Sequence, residues 1–239
     1  MVTPRTRVQI PAAVSSIIER LTMIRALPIV LGFVCSGLLV AAQAPNPAAE
    51  ACAPFTHAMD LTVKADHAAA LAEWTQLAAA HPNTACIENR LGLELLHAGE
   101  PANAIPHFEN AIALDPKDAE PHNSLGAALL ADAMHAQHDR AEREFKRAIE
   151  LDPKYADAQM NLGNLYRDEG DAARAEQLFR AAMASDPRFI KAYVSLARTL
   201  AEQSRLPEAD AVLTRALALD ADNREALRLR KQIRMMMRP

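Results

Sequence analysis

The best candidate for metal chemistry in this sequence is the cluster of His135, His138 and Asp139. Side chains at positions i, i+3 and i+4 share one face of a helix, and imidazole with carboxylate suits late transition metals. Polar residues in a loop between two predicted helices are more often simply solvated. The other histidines are scattered and are interpreted as surface or groove residues: His57, His67, His81, His97, His107 and His122. We therefore predict no metal and no cofactor.

Known catalytic motifs do not accompany these residues. The sequence has no H-E-x-x-H zinc motif, no glycine-rich phosphate loop, no G-x-S-x-G turn and no paired C-x-x-C. The formal net charge of −4 gives no general positive field, which argues against nucleic-acid binding. We therefore expect a protein that is not an enzyme and whose partners are other proteins or peptides.

The first 44 residues have the pattern of an export signal. Arg20 and Arg25 precede the uncharged apolar segment 26–42, and an A-x-A pattern ends at Ala44. Cleavage there would leave 195 residues, from 239 − 44. The alternative is that residues 26–42 are kept as an inner-membrane anchor, since 17 apolar residues are near the minimum that spans a bilayer.

Both alternatives send the rest of the chain out of the cytoplasm, to a periplasmic or extracellular location. The reason is that the positively charged end stays on the cytoplasmic side. Met23 is a second candidate start, in which case residues 1–22 would not be translated. Residues 45–50 form a short linker of proline, alanine and polar residues.

The remainder of the chain repeats itself. Alanine-rich runs end at Pro82, Pro116, Pro153, Pro187 and Ala221. The interval between successive ends is constant except from Pro116 to Pro153, where it is slightly longer. A fixed period of about 34 residues predicts a solenoid of stacked units. With 50% apolar and only 4% aromatic residues, helices packed through alanine and leucine are expected, so the fold class is all-α.

Each period has the pattern of a helix, a turn and a second helix. In the clearest unit, 156–189, the small residue Gly163 lets two antiparallel helices approach closely. Tyr166 and Phe179 fill the space between them, and Gly170 ends the first helix. One unit cannot bury its apolar face alone, so neighbouring units must stack.

These positions resemble the signature of the tetratricopeptide repeat family, W-x2-L-G-x2-Y…A-x3-F…P. The matching residues are Leu91, Gly92, Ala104, Phe108 and Pro116; Leu125, Gly126, Ala141, Phe145 and Pro153; Leu162, Gly163, Tyr166, Ala175, Phe179 and Pro187; and Leu196, Ala197, Ala209 and Leu213. The resemblance implies a right-handed superhelical solenoid of antiparallel helix pairs. The five expected repeats are 51–84, 85–118, 119–155, 156–189 and 190–223. A basic C-terminal capping helix is expected at 224–239.

The resemblance also implies a binding surface. In this family the first helix of each repeat lines a concave groove that holds a peptide, while the signature residues face the neighbouring helix. The predicted groove residues are Asn89, Leu93, Leu96, Asn123, Ala127, Leu130, Asp157, Met160, Asn164, Arg167, Lys191 and Arg198. Because the last of these are cationic, we expect an extended peptide with an apolar portion and an acidic group at one end.

Two interpretations of the charges stay open. The alternative to peptide binding is that the groove cations are neutralised by nearby carboxylates, namely Asp157, Asp168 and Glu202. The capping helix has many cations: Arg224, Arg228, Arg230, Lys231, Arg234 and Arg238. They suit either a soluble cap, because cations favour a helix C-terminus, or peripheral contact with anionic lipid or an acidic partner.

Cys52 and Cys86 are one repeat period apart and would occupy equivalent places on the first helices of adjacent repeats. In an oxidising compartment a disulfide would tie down the irregular first repeat. Helix axes about 8 to 10 Å apart argue against it, since a disulfide needs Cα atoms within about 7 Å. Both outcomes stay open from the sequence.

Taken together, the sequence predicts a non-catalytic scaffold or adaptor for protein–protein interaction. It would be exported to the cell envelope and bind a peptide segment of a partner. The alternative is an accessory subunit of an envelope enzyme or of cell-wall machinery, with or without a membrane anchor.

Overall fold

The computed structural model describes residues 55–132 and 137–237. Within these ranges it has eleven α-helices and no β-strand. In chain order they are α1 Thr56–Val63, α2 His67–Ala80, α3 Ala85–His97, α4 Pro101–Leu114, α5 Ala119–Ala131, α6 His138–Leu151, α7 Ala156–Asp168, α8 Ala172–Ser185, α9 Ile190–Glu202, α10 Leu206–Leu219 and α11 Arg224–Met236. The first ten pack as five successive helix pairs, and each pair contacts the next. The predicted all-α solenoid of helix pairs is confirmed.

Several predictions fall on other parts of the chain. The export signal 1–44, the linker 45–50, Cys52 and His135 lie outside the described residues. Among the helices that the structure describes, none combines the length and the apolar character needed to cross a bilayer.

A glycine on the first helix faces a phenylalanine on the second helix of three pairs. A Cβ atom added to Gly163 would lie 2.7 Å from Cε1 of Phe179. The same close approach occurs between Gly92 and Phe108 and between Gly126 and Phe145. In the fifth pair, Ala197 and Leu213 occupy the corresponding positions and are fully buried. The predicted role of the small residue is therefore confirmed.

The turns inside the first, second, fourth and fifth pairs each contain a residue with positive φ. Gly170 has φ +87°, and the N–H of Asp171 then donates to the carbonyl of Tyr166 at 2.8 Å, which closes the end of α7. Ala65 and Ser204 occupy the matching positions with φ of 57° and 61°. Because only glycine adopts this conformation without strain, these two turns are strained.

The buried apolar side chains form two clusters. The larger one extends from Ala104 to Ile233. The smaller one joins the first pair to the start of α3 through Ala58, Ala70, Trp74, Ile87 and Leu91. Leu95 packs against both clusters. The first helix pair therefore has its own small core, as expected for an irregular terminal repeat.

Helix α11 covers the end of the stack with an apolar face that includes Ala226 and Ile233. Its start is capped by Asn223, whose side chain accepts from the N–H of Ala226 at 3.1 Å. Two arginines of α11 also reach Asp210 on α10, with Nε–Oδ1 distances of 3.0 and 2.9 Å. They hold the pKa of Asp210 below its usual range, mainly through the hydrogen bond from Arg234.

Candidate functional site

The first helices α3, α5, α7 and α9 and the capping helix α11 form a row in which each helix contacts the next. We call this surface the first-helix row. At its front, both terminal nitrogens of Arg90 bind the carboxylate of Glu120, with Nη1–Oε1 at 3.0 Å and Nη2–Oε2 at 3.2 Å. Burial raises the pKa of Glu120, and the charge of Arg90 opposes that rise. This pair therefore joins α3 to α5 within the row.

Two amide side chains connect α5 to α7. Asn161 Nδ2 on α7 donates to Asn123 Oδ1 on α5 at 2.9 Å. Tyr155, at the start of α7, has its hydroxyl 3.5 Å from Asn123 Nδ2, and burial raises the pKa of this tyrosine. Asn123 is only 9% exposed and Asn89 only 2%. The prediction that Asn89 and Asn123 line an open groove is therefore corrected: both side chains are buried and offer little to a ligand.

The apolar groove residues have a different environment. Six predicted positions are partly buried: Leu93, Leu96, Ala127, Leu130, Met160 and Asn164. Leu93, Leu96, Leu130 and Met160 pack one side against the large core cluster and keep some surface accessible. The first-helix row thus presents accessible apolar surface on α3, α5 and α7.

Two of the predicted groove cations have acidic neighbours. The guanidinium of Arg167 binds Asp168 Oδ1 at 2.9 Å and is 19% exposed. Lys191 is exposed. Burial raises the pKa of Asp157, and the positive charge of Lys191 opposes that rise. The arrangement at these positions is the one expected if Asp157 and Asp168 neutralise the cations.

The third cation, Arg198, has its acidic neighbour on a different helix. Its Nη2 is 3.0 Å from Glu225 Oε1 on α11, so its acidic neighbour is Glu225 and not the predicted Glu202. A cleft of about 460 Å³ lies between α9 and α11 and is lined by Arg198, Arg224, Glu225, Arg228, Leu229 and Gln232. Three guanidinium groups face one carboxylate there, so the cleft is positively charged. The i, i+4 spacing of Arg224 and Arg228 indicated that both lie on one face of a helix. The sequence did not show that this face meets Arg198.

The histidines are more organised than predicted. His122 is buried and its Nδ1 lies 2.7 Å from Glu144 Oε2. His67 and His97 meet at the carboxylate of Glu94. His138 begins α6 and is exposed; the third member of its predicted cluster, His135, lies outside the described residues. The contacts of His67 and His122 join different helices, so no local spacing predicted them; His97 and Glu94 share α3 at i, i+3 spacing.

Comparison with known families decides the classification. Two families described as tetratricopeptide repeat match the chain, one over residues 55–119, 89–132 and 135–188 and the other over residues 166–233. The chain belongs to the tetratricopeptide repeat family. No match was found among curated proteins. Tetratricopeptide repeats mediate protein–protein interaction.

Solved structures with the same fold span most of the chain. MamA is 26% identical with a TM-score of 0.57, covering 69% of this chain and 94% of its own. TTC0263 of Thermus thermophilus is 21% identical with a TM-score of 0.66, covering 77% and 97%. YrrB, described as a tetratricopeptide protein with an unusual peptide-binding site, is 22% identical with a TM-score of 0.54, covering 73% and 88%. These similarities concern the tetratricopeptide fold.

Proposed function

We propose that this chain is an exported, non-catalytic scaffold that holds a peptide segment of a partner protein along the first-helix row. The observation that carries the proposal is the accessible apolar surface of α3, α5 and α7 in the same row as the cationic cleft between α9 and α11. The description of YrrB, which has the same fold, as peptide-binding supports the same use here.

The chemistry of the row defines the ligand. Apolar side chains of the peptide would cover surface at Leu93, Leu130 and Met160, and burial of that area supplies affinity. An acidic group would enter the cleft beside Arg198 and Arg224. Opposite charge in a concave site steers the partner and fixes the register of the bound peptide.

Two observations support export. The N-terminal 44 residues have the charge and hydropathy pattern of a signal. Cys86 is disulfide-bonded, and disulfides persist mainly in oxidising compartments such as the periplasm. Expression of the full gene in a bacterial host should give a periplasmic chain starting at Pro45, detected by intact mass. A cytoplasmic chain of full length would contradict the proposed export.

Site-specific photocrosslinking in cells tests the binding surface. A photoreactive amino acid placed at Leu130 or Met160 should crosslink to a partner, because these side chains are accessible in the row. The same group at the exposed positions Gln177 on α8 or Thr214 on α10 should not, because both lie on second helices. Equal crosslinking from both sets would remove the first-helix row as the binding surface. The identity of the crosslinked chain would separate a scaffold from an enzyme accessory subunit.

A charge variant with a matched control tests the cationic cleft. Changing Arg198, Arg224 and Arg228 together to serine should weaken partner capture and reduce its dependence on salt. The control changes three exposed arginines of second helices, Arg143, Arg147 and Arg180 on α6 and α8. Both variants lose three positive charges, so an equal effect on capture would show that only net charge matters.

A further inference from the structure

The carboxylate of Glu94 is almost completely buried. Glu94, near the end of α3, has a side chain that is only 1% exposed. A carboxylate taken from water is costly unless charged or hydrogen-bonded partners surround it. The residues around Glu94 therefore indicate what compensates its burial.

Two histidines approach the same oxygen of this carboxylate. Glu94 Oε2 is 2.8 Å from Nδ1 of His67, the first residue of α2, and 3.8 Å from Nδ1 of His97, the last residue of α3. The two imidazole rings are in contact, with centroids 4.5 Å apart and ring planes tilted by 45° to each other. One ligand atom from each of the three residues lies within 4.8 Å of the other two.

The other carboxylate oxygen is held by the protein. Thr62 Oγ1 donates to Glu94 Oε1 at 2.6 Å. Trp74 Nε1 in turn donates to Thr62 Oγ1 at 3.2 Å. This chain of bonds fixes the direction of the carboxylate, and supporting bonds of this kind are typical around metal ligands. Oε2 is left facing the two histidines.

We propose that His67, Glu94 and His97 form a binding site for a zinc-like divalent metal ion. Two imidazole nitrogens and one carboxylate oxygen are a ligand set preferred by late first-row divalent metals. Metal–ligand bonds of about 2.0 to 2.2 Å place neighbouring ligand atoms roughly 3 to 3.5 Å apart. The two histidine side chains are 39% and 49% exposed and are free to adjust toward that distance, and water completes the coordination.

The site connects the first helix pair to the second. His67 belongs to the first helix pair, and Glu94 and His97 belong to the second. The apolar contact between the first pair and α3 is a small cluster. A bound metal would therefore fasten the terminal repeat to the solenoid and stabilise the end of the stack.

Other histidine–carboxylate pairs in the described chain provide an internal comparison. His107 Nδ1 lies 2.7 Å from Glu88 Oε2, and His122 Nδ1 lies 2.7 Å from Glu144 Oε2. Each of these carboxylates has a single histidine partner and lacks the second imidazole. They are examples of the ordinary hydrogen-bonded pair, which is what His67 and Glu94 form if no metal binds.

The test is a zinc titration of the full mature chain by calorimetry, after treatment with a chelator and in non-reducing buffer. One zinc ion per chain is expected, with a rise in melting temperature on saturation. His97→Gln should weaken zinc binding by more than the roughly 10- to 100-fold expected for losing a supporting residue around a metal. This variant leaves the buried carboxylate and its threonine partner in place, so it should fold. Cobalt added instead of zinc should give a visible absorption band that His97→Gln abolishes.

Two control variants locate the site. His107→Gln removes an imidazole from an ordinary pair and should leave zinc affinity within about twofold, a change that lies inside the usual scatter of neutral substitutions. His138→Gln tests the exposed cluster at the start of α6 in the same way. The proposal is overturned if the unaltered chain binds no zinc, if His97→Gln binds as tightly as the unaltered chain, or if only His138→Gln removes binding.

Discussion

The contact between Gly163 and Phe179 should determine whether an alanine is tolerated on α7. A Cβ atom at residue 163 would lie 2.7 Å from Cε1 of Phe179 and 3.0 Å from its Cδ1. Carbon atoms attract at roughly 3.5 Å, so the ring would have to retreat by about 0.8 Å or the helices separate. Both atoms sit in a fully packed interface, since Phe179 is 0% exposed. Gly163→Ala therefore creates overpacking.

The size of the effect follows from two opposing contributions. Overpacking of a well-filled core typically costs about 1 to 3 kcal/mol. Alanine in the middle of a helix regains about 0.5 to 1 kcal/mol relative to glycine. The net loss for Gly163→Ala is then about 1 kcal/mol at the middle of these ranges, and no more than about 2.5 kcal/mol. Phe179→Leu alone should also destabilise, because it removes volume from the same interface.

The fifth helix pair shows how both changes would fit together. It has Ala197 and Leu213 at these positions, both fully buried. We therefore expect the double variant Gly163→Ala with Phe179→Leu to be more stable than the sum of the single effects, by about 1 kcal/mol or more. The first pair, with Ala58 and a short first helix, does not follow this rule because Trp74 is the partner there.

Urea unfolding followed by far-ultraviolet circular dichroism measures this cycle. Gly170→Ala is the control, because Gly170 has φ +87° and no atom within 4 Å of an added Cβ. It should destabilise through backbone strain alone, and Phe179→Leu should give no rescue. Additive effects of Gly163→Ala and Phe179→Leu, within about 0.5 kcal/mol, would refute the reasoning.

Three further outcomes are expected. Ser204→Gly should raise stability by about 1 kcal/mol because φ is 61° there, and Gly170→Ser should lower it by a similar amount; unchanged melting temperatures in both would contradict the strain. Asp210→Asn should cost less than about 1 kcal/mol and speed hydrogen exchange in α11. The folded pKa of Asp210 is depressed, so its stabilisation is present above the unfolded pKa and lost as pH falls through the folded pKa. The difference between Asp210→Asn and the unaltered chain should therefore shrink on acidification, and a constant difference would exclude the ion pairs as its cause. Finally, thiol titration of the unfolded, non-reduced mature chain should find Cys52 and Cys86 oxidised, whereas two free thiols would exclude the predicted bridge.

Local pattern was sufficient to predict the helix pairs. Gly163 and Phe179 belong to the same repeat, so the period that identified the fold also identified their contact. The exposure of side chains that meet a neighbouring repeat was predicted less well. Asn89 was predicted to face a ligand, but it is buried. A repeat pattern gives the position on a helix, whereas the exposure of that position depends on the neighbouring side chain.

The histidine cluster shows the limit of local reasoning most clearly. His67 and Glu94 lie far apart in the sequence, on different helix pairs, and no motif spacing connects them. Their contact depends on how the irregular first pair packs against the second, which the family signature does not specify. The cleft at Arg198 had the same difficulty, because it depends on where the capping helix lies.

The separation of the core into two clusters also determines how the chain would respond to a pulling force. A load applied at the N-terminal end would act first on the α1–α2 hairpin, whose small cluster meets the larger one at Leu95. Because each hairpin is held mainly by its neighbours, extension would proceed one hairpin at a time. Each unfolded repeat would release roughly 110 Å of chain. A chain pulled from that end would therefore lengthen in steps of one hairpin while the hairpins farther along stayed folded.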